Sequence, residues 1–456
     1  MRARHGSGPV RFRWAVPVAA LALLAPLLPV AEAAPRYVFD REVVANIPGP
    51  AFGTTGDLNG DGRDELVISV FGRLAGTKIP NGTVVSYSRE SRKGNLRAST
   101  IVPASKGLSF PNEPVLIDVD EDGDLDVVTP GGFFICPVAA PDATCGYLAW
   151  WEQRPDGGFV EHEIVANGAA LFYHRPLFTD LNRDGSRDMV IVGENVQGAV
   201  LQVFPGTRSG DRFETTPLVL GVGGGSLPVL HDVDGDGVQD IFSGQFFQRD
   251  ASVVWFKQVA GPTPLARFGT WTRYVASTDL GGVIQVAAVP DMIRNGTVTY
   301  LVSNHTNATT GPPGTAPSAI YELTPGPDPR TPWASRPLSE GVVSRGDMCQ
   351  CGQQAGAPGV FGTGDVDEDG RLDVVFSGDG DERVFWLRNV GGGTFETVVV
   401  ADKRGQAGGA VLADTDGDGR PEVLFNSYEA NTVELYRLRP TGRPRPAPVR
   451  RTAPHQ

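Results

Sequence analysis

The residues best placed for chemistry in this sequence are acids in short loops that recur along the chain. Nine-residue segments of the pattern D-x-[DN]-x-D-G-x-x-[DE] begin at Asp57, Asp118, Asp180, Asp232, Asp365 and Asp414. A hard cation takes six to eight oxygen ligands at about 2.3 to 2.6 Å, so a short loop supplies them only if alternate side chains point inward and the chain turns sharply. Positions 1, 3 and 5 are Asp or Asn in every copy, and position 6 is always Gly, which permits the turn without a Cβ clash. Position 9 is always a carboxylate, while position 7 shows no side-chain preference, as expected of a backbone carbonyl ligand. The ligand sets expected are therefore Asp57, Asn59, Asp61, Arg63 and Glu65; Asp118, Asp120, Asp122, Asp124 and Asp126; Asp180, Asn182, Asp184, Ser186 and Asp188; Asp232, Asp234, Asp236, Val238 and Asp240; Asp365, Asp367, Asp369, Arg371 and Asp373; and Asp414, Asp416, Asp418, Arg420 and Glu422. The chemistry is that of calcium, about six ions, in a structural role.

An EF-hand shares the first six positions but needs a Glu at position 12 and flanking helices, whereas position 12 here is Ile68, Thr129 or Ile191 in strand-like sequence. A plain Asp-Gly hairpin would explain one copy. Three or four inward carboxylates repeated six times would repel one another without a cation. The gap between Asp232 and Asp365 is long enough for one more unit, and DMIRNGTVT at Asp291 supplies it. Its third and ninth positions are Ile293 and Thr299, so that unit is expected to hold no metal.

The elements that position these loops are short strands. Apolar runs precede each loop (PVLIDV, LPVLHDV) and follow it (LVISV, DVVFS), and a third run carries an aromatic in every unit: Tyr87, Trp150, Phe204, Trp255, Tyr321, Trp386 and Tyr436. A fourth run is visible in FVEHEIVAN, FETTPLVL, WTRYVAS and FETVVVA. Four antiparallel strands per unit, seven times over, predict an all-β, seven-bladed β-propeller. The seventh unit ends after its third strand at Tyr436, while YVFDREVVAN at 37 to 46 stands alone and matches the fourth-strand sequence EHEIVAN. The N-terminal strand is thus expected to complete the last blade and leave no open edge. The third-strand aromatics are assigned to blade-to-blade packing rather than to a stacking ladder for ligand.

With both the Phe-Gly and the acidic loop in FGTTGDLNGDGRDELVI at Phe52 and FGTGDVDEDGRLDVV at Phe361, the sequence resembles the FG-GAP or VCBS-type repeats of the integrin α-subunit propeller and of secreted bacterial and fungal proteins. The resemblance covers residues 37 to 438. It implies structural calcium in the loops and a family of adhesion proteins and sugar-binding lectins, with a minority of enzymes such as polysaccharide lyases and sugar-derivative dehydratases.

Arg2, Arg4, Arg11 and Arg13 precede the apolar run AVPVAALALLAPLLPV, which ends at Ala31-Glu32-Ala33. Residues 1–33 are therefore expected to be a cleaved signal peptide, 34–438 the propeller, and 439–456, rich in Pro and Arg, a disordered tail. The run is too short and too interrupted by proline to span a bilayer. A formal charge of -13, made more negative once the basic leader is removed, argues against nucleic acid. The product is expected to be a secreted, periplasmic or cell-surface monomer whose partner is an extracellular glycan or protein. Export permits disulfides; a local Cys136–Cys145 bridge fits, while Cys349 and Cys351 leave a strained C-x-C bridge or cross-loop pairing open. Long insertions fall on the face away from the acidic loops, where recognition is expected. The ligand-binding candidates there are Tyr173, His174, Arg175, Asn304 and His305, the runner-up reading being a sugar-active enzyme at the same face. The tripeptide Arg345-Gly346-Asp347 matches an integrin-recognised sequence but arises easily by chance in a Gly-rich loop. N-terminal sequencing of exported material should begin near Ala34; a chain starting at Met1 would contradict the leader.

Overall fold

The computed structural model describes residues 37–72, 81–133, 136, 145–307, 315–345 and 356–439. The leader, the tail, Cys349, Cys351 and the Gly346-Asp347 pair lie outside these residues. Alternating apolar and polar residues with Gly-rich turns form strands rather than helices, and the strands assemble into seven antiparallel sheets. Each of the first six blades uses four runs in chain order. The first, for example, comprises Pro50–Gly56, Glu65–Val70, Thr83–Arg89 and Leu96–Val102. In the seventh blade Ala407–Ala413, Glu422–Ser427 and Thr432–Leu438 are joined by Phe39–Asn46 from the other end of the chain. The register runs from Phe39 opposite Leu438 to Asn46 opposite Thr432.

Blade contacts follow one another around a ring. Gln153 of the second blade donates to the Leu58 carbonyl of the first at 2.9 Å, Asn112 to the Tyr173 carbonyl at 2.7 Å, and Ser226 to Glu194 at 2.8 Å. Farther round, Trp255 donates to the Pro329 carbonyl at 3.2 Å, Asn389 to the Met292 carbonyl at 2.8 Å, and Val360 pairs with Gly409. The Asp64 amide reaches the Asp414 carbonyl at 3.1 Å and closes the circle. The seven third-strand aromatics are all buried, as blade packing requires. Trp386 illustrates the role: Tyr37 and Phe39 of the closing strand meet its ring edge-on, with centroids 5.0 and 5.9 Å away.

The closing strand also satisfies a buried charge. Glu434 is 1% exposed, accepts from Arg41 at 2.5 Å, and is held ionised below the usual carboxylate range by Arg41 and Tyr436 against the cost of burial. Deleting residues 37–46 should therefore uncover the edge of Thr432–Leu438 and leave Glu434 without Arg41. The expected outcome is a lower melting temperature together with self-association by light scattering. A monomer with unchanged melting would contradict the closure.

Candidate functional site: acidic loops and an axial cavity

The six acidic loops share one internal wiring. The position 1 carboxylate accepts the amides of positions 5 and 6, as Asp118 does from Asp122 at 3.1 Å and Gly123 at 3.0 Å. The position 5 carboxylate accepts the position 7 amide, as in Asp122 from Asp124 at 3.0 Å. The same pattern holds at Asp57, Asp180, Asp232, Asp365 and Asp414. Each loop is thus held by hydrogen bonds from its own backbone. Position 3 is different: Oδ1 of Asp120, of Asp234 and of Asp367 is buried with no hydrogen-bond partner. Four groups, Asp118/Asp120/Asp122, Asp232/Asp234/Asp240, Asp365/Asp367/Asp373 and Asp414/Asp416/Asp418, bring three carboxylates together in a way that could chelate a metal ion.

Position 9 has a second duty that sequence spacing does not reveal. It accepts the amide of position 2 in every loop, from Leu58, Val119, Leu181, Val233, Val366 and Thr415, at 2.8 to 3.1 Å. Asp126, Asp188 and Asp373 use the other oxygen for a third-strand or post-strand amide (Gln153, Gly206, Asn389) at 2.7 to 2.9 Å. Burial pushes Asp126 up to about 6 and Asp240 and Asp373 up to about 7, against these hydrogen bonds. The protein's own cations also reach five loops: Lys257 lies 2.6 and 2.5 Å from Asp234 and Asp236, Arg388 2.6 and 2.9 Å from Asp367 and Asp369, Arg437 2.9 Å from Asp416 and Arg267 4.0 Å from Asp184, while Arg63 pairs with Asp61. In the unit at Asp291, Ile293 packs against the apolar core between the fifth and sixth blades, so the third position is a core residue there instead of an acid or amide.

Each loop feeds the second strand of its blade, and the residue six places after position 9 emerges at the axis, roughly 20 Å away at about 3.3 Å per residue. Going round the ring these are Phe71, Gly132, Glu194, Phe246, His305, Asp379 and Tyr428. Phe246, His305 and Asp379 of this set line a partly open cavity of about 80 Å³, with the rest of its lining drawn from all seven blades. Aromatic rings form much of its wall: Phe133 lies 6.5 Å from His174 and Phe246 5.6 Å from His305, while Phe71 packs against the lining residue Phe52 at 5.8 Å and against Tyr428 at 6.1 Å.

Two histidine–carboxylate pairs interrupt the aromatic wall. His174 sits where the first strand of the third blade breaks between Phe172–Tyr173 and Leu177–Thr179, a gap that Pro176 enforces by lacking an N–H. Its Nδ1 is 3.0 Å from Glu113 Oε2. Burial alone would lower the His174 pKa, but Glu113 and Glu194 carry it above the ordinary value. Glu194 is fully buried and pushed up to about 7 by desolvation, against His174 and a 2.8 Å hydrogen bond from Ser226. In the second pair, His305 Nδ1 donates to the Pro358 carbonyl at 2.8 Å, leaving Nε2 3.8 Å from Asp379. Tyr428 donates to Asp379 at 3.0 Å, and burial raises the Asp379 pKa. His305 and Asp379 have φ of 31° and 47°, left-handed backbone that costs a non-glycine residue roughly 1–3 kcal/mol and that concentrates at functional sites.

The structure therefore brings His174 and His305 to one cavity, with Arg175 beside Glu113 and its pKa lowered by burial. Tyr173 and Asn304, expected at the same site, are turned into the framework. Tyr173 packs in the core between the second and third blades, and Asn304 spends its amide on the Pro317 carbonyl at 2.8 Å and the Ala319 amide at 3.0 Å. Each directly precedes its histidine at or just past the end of a strand, where the two neighbouring side chains go to different surroundings. Glu113, Glu194, Asp379 and Tyr428 were missed; their signal is the constant offset from position 9, which only Glu113 escapes. Cys136 and Cys145 are disulfide-bonded beside this wall, with Cα atoms 6.1 Å apart.

Comparison with known proteins agrees with this geometry. A family model described as FG-GAP-like repeat matches residues 365–425, the stretch that carries the loops at Asp365 and Asp414. Integrin alpha pat-2 of Caenorhabditis elegans is 28% identical over 234 residues, covering 46% of this chain and 19% of that protein. Its Caenorhabditis briggsae counterpart is 27% identical over the same length. This chain is a β-propeller with an FG-GAP-like repeat and distant similarity to integrin α chains. The matched region spans only about a fifth of those integrin subunits. The propeller also resembles the exotype rhamnogalacturonan lyase YesX, with a TM-score of 0.45 and 13% identity over 88% of this chain and 72% of that one. A Bacillus licheniformis rhamnogalacturonan lyase gives 0.43 and 12%. Neither likeness bears on the activity of this propeller.

The raised Glu194 pKa has a definite sign. Between the unfolded value near 4.5 and the folded value of about 7 the unfolded chain gives up its proton first, so stability falls as pH rises through that window. Glu194→Gln should remove this loss. Its melting temperature relative to the unaltered protein should climb from pH 4.5 to 7 and level off above; a difference independent of pH would contradict the burial of an ionising carboxyl.

Proposed function

We propose that this protein is an extracellular binding module, calcium-stabilised at the acidic end of its axis, that takes the terminal unit of a glycan into the cavity at the other end. The observation that carries the reading is the cavity itself: aromatic rings suited to the C–H faces of a sugar, interrupted by His174/Glu113 and His305/Asp379, which can exchange hydrogen bonds with hydroxyls. The distant similarity to integrin α chains fits an adhesion or binding role. Acid–base work on the bound sugar is the second reading, favoured by the two histidine–carboxylate pairs on different sides of one cavity.

Calcium suits the loops because position 3 oxygens at Asp120, Asp234 and Asp367 are buried acceptors with nothing to accept from. Among the described residues no Lys or Arg side chain is paired with the carboxylates of Asp118, Asp120 or Asp122, so that loop depends most on a bound cation. Ions bound only by the folded chain add about 2.7 kcal/mol per site at 100 times the dissociation constant. Native mass spectrometry should count about six calcium ions, and chelation should lower the melting temperature. Asp122→Ala should remove one ion and Asp291→Ala none. A count near zero with an unchanged melting curve would refute the metal assignment.

A glycan array, followed by a search for new reducing ends released from any glycan retained, tests the rest. His305→Asn, which tolerates the left-handed backbone, should cut retention at least about ten-fold, roughly the loss of one good hydrogen bond, with melting unchanged. Retention without bond cleavage supports the module; cleavage abolished by the same substitution would replace it with the enzyme.

A further inference from the structure

Three features of the axial cavity bear on the charge of what enters it. The first is a surplus of acceptors. Glu113 is 6% exposed and lines the cavity; one of its oxygens serves His174, and the other, Oε1, has no hydrogen-bond partner. Glu194, fully buried beside it, repeats the arrangement, with Oε2 on Ser226 and Oε1 unpartnered. A buried carboxylate oxygen left without a donor is costly, and a ligand that brings donors recovers that cost. The second is the aromatic wall, since the faces of Phe52, Phe133, Phe246 and Phe247 carry partial negative charge that attracts cations and disfavours anions. The third is a shortage of positive charge on the lining itself. Among the described residues no Lys or Arg lines the cavity, Arg175 beside Glu113 being outside the lining, and each histidine there is already engaged with a carboxylate, His174 with Glu113 and His305 with Asp379.

We propose that the group entering the cavity carries a protonated amine, so that the glycan recognised is an amino sugar with a free ammonium and not a uronic acid. This rests on the glycan-binding reading above. An ammonium offers three donors to Glu113 and Asp379 and sits favourably against the phenyl faces, whereas a hexuronate would place a carboxylate against Glu113 with no cation on the cavity lining to receive it. An N-acetylated sugar loses the charge and two of the donors.

Calorimetric titration of the unaltered mature protein with glucosamine oligomers, N-acetylglucosamine oligomers and galacturonate oligomers of equal length, and with tetramethylammonium, tests the inference. The expected result is binding of the glucosamine oligomer at least about ten-fold tighter than of the acetylated one, with no binding of the galacturonate. Glu113→Gln, which keeps the acceptor and removes the charge, should abolish that preference; Asp379→Asn is the second variant should the first fail to fold. Equal or tighter binding of the acetylated or acidic oligomer overturns the amine assignment and leaves the glycan reading standing. Tetramethylammonium binding with no oligomer bound supports the cation preference and overturns the glycan reading. Binding of none of the probes overturns both.

Discussion

The tether from the position 9 carboxylate to the position 2 amide is the interaction on which the other features rest. It fixes the start of every intact second strand at 2.8 to 3.1 Å from its own loop. Because strand residues advance at a constant rise, fixing the start also fixes which residue arrives at the axis and which way it points. Glu194 lies on the strand that Asp188 begins, and Phe246, Asp379 and Tyr428 follow within two residues the strands that Asp240, Asp373 and Glu422 begin. The acidic end and the lined cavity are two ends of one set of struts.

This arrangement explains how the loops tolerate their charge. Within each loop the backbone amides of positions 5, 6 and 7 point at carboxylates, which lowers the cost of gathering acids, and Arg63, Arg267, Lys257, Arg388 and Arg437 relieve it further in five blades. The remaining deficit lies at position 3, where the buried oxygens of Asp120, Asp234 and Asp367 have no donor. The fifth blade takes another route. Ile293 buries an apolar side chain where the others place an acid, and the turn is still held by Asp291 accepting the Gly296 amide at 2.6 Å. A blade can therefore keep its strut without an acid at position 3.

Much of this was legible in the sequence, because repetition averages out local ambiguity. Seven aromatic third strands, six Gly-centred acidic loops and a lone matching strand at residues 37–46 fix a closed ring with little help from propensity. The fourth strand of the third blade was read too long: Phe213 makes only an isolated bridge with Gly206, and the strand begins at Leu218. The cavity was only half legible. A histidine in a loop announces itself by type, so His174 and His305 stood out, but their neighbours Tyr173 and Asn304 were grouped with them by adjacency, which their different surroundings contradict. Glu113 could not be found this way: it precedes a strand, at no fixed offset from a motif, and reaches His174 only through the packing of the second blade on the third. The anchoring role of position 9 was also hidden, since a carboxylate that binds metal and one that binds backbone look the same in sequence.

The coupling of the two ends is tested most directly by amide hydrogen exchange with and without a calcium chelator, under conditions where the protein stays folded. Loss of metal should raise exchange along Asp126–Gly131 and Asp373–Ser377 and on to the axial residues that follow them, while Val298–Ser303 of the fifth blade keeps its protection. Exchange confined to the acidic loops, or rising equally in all seven blades, would contradict the account.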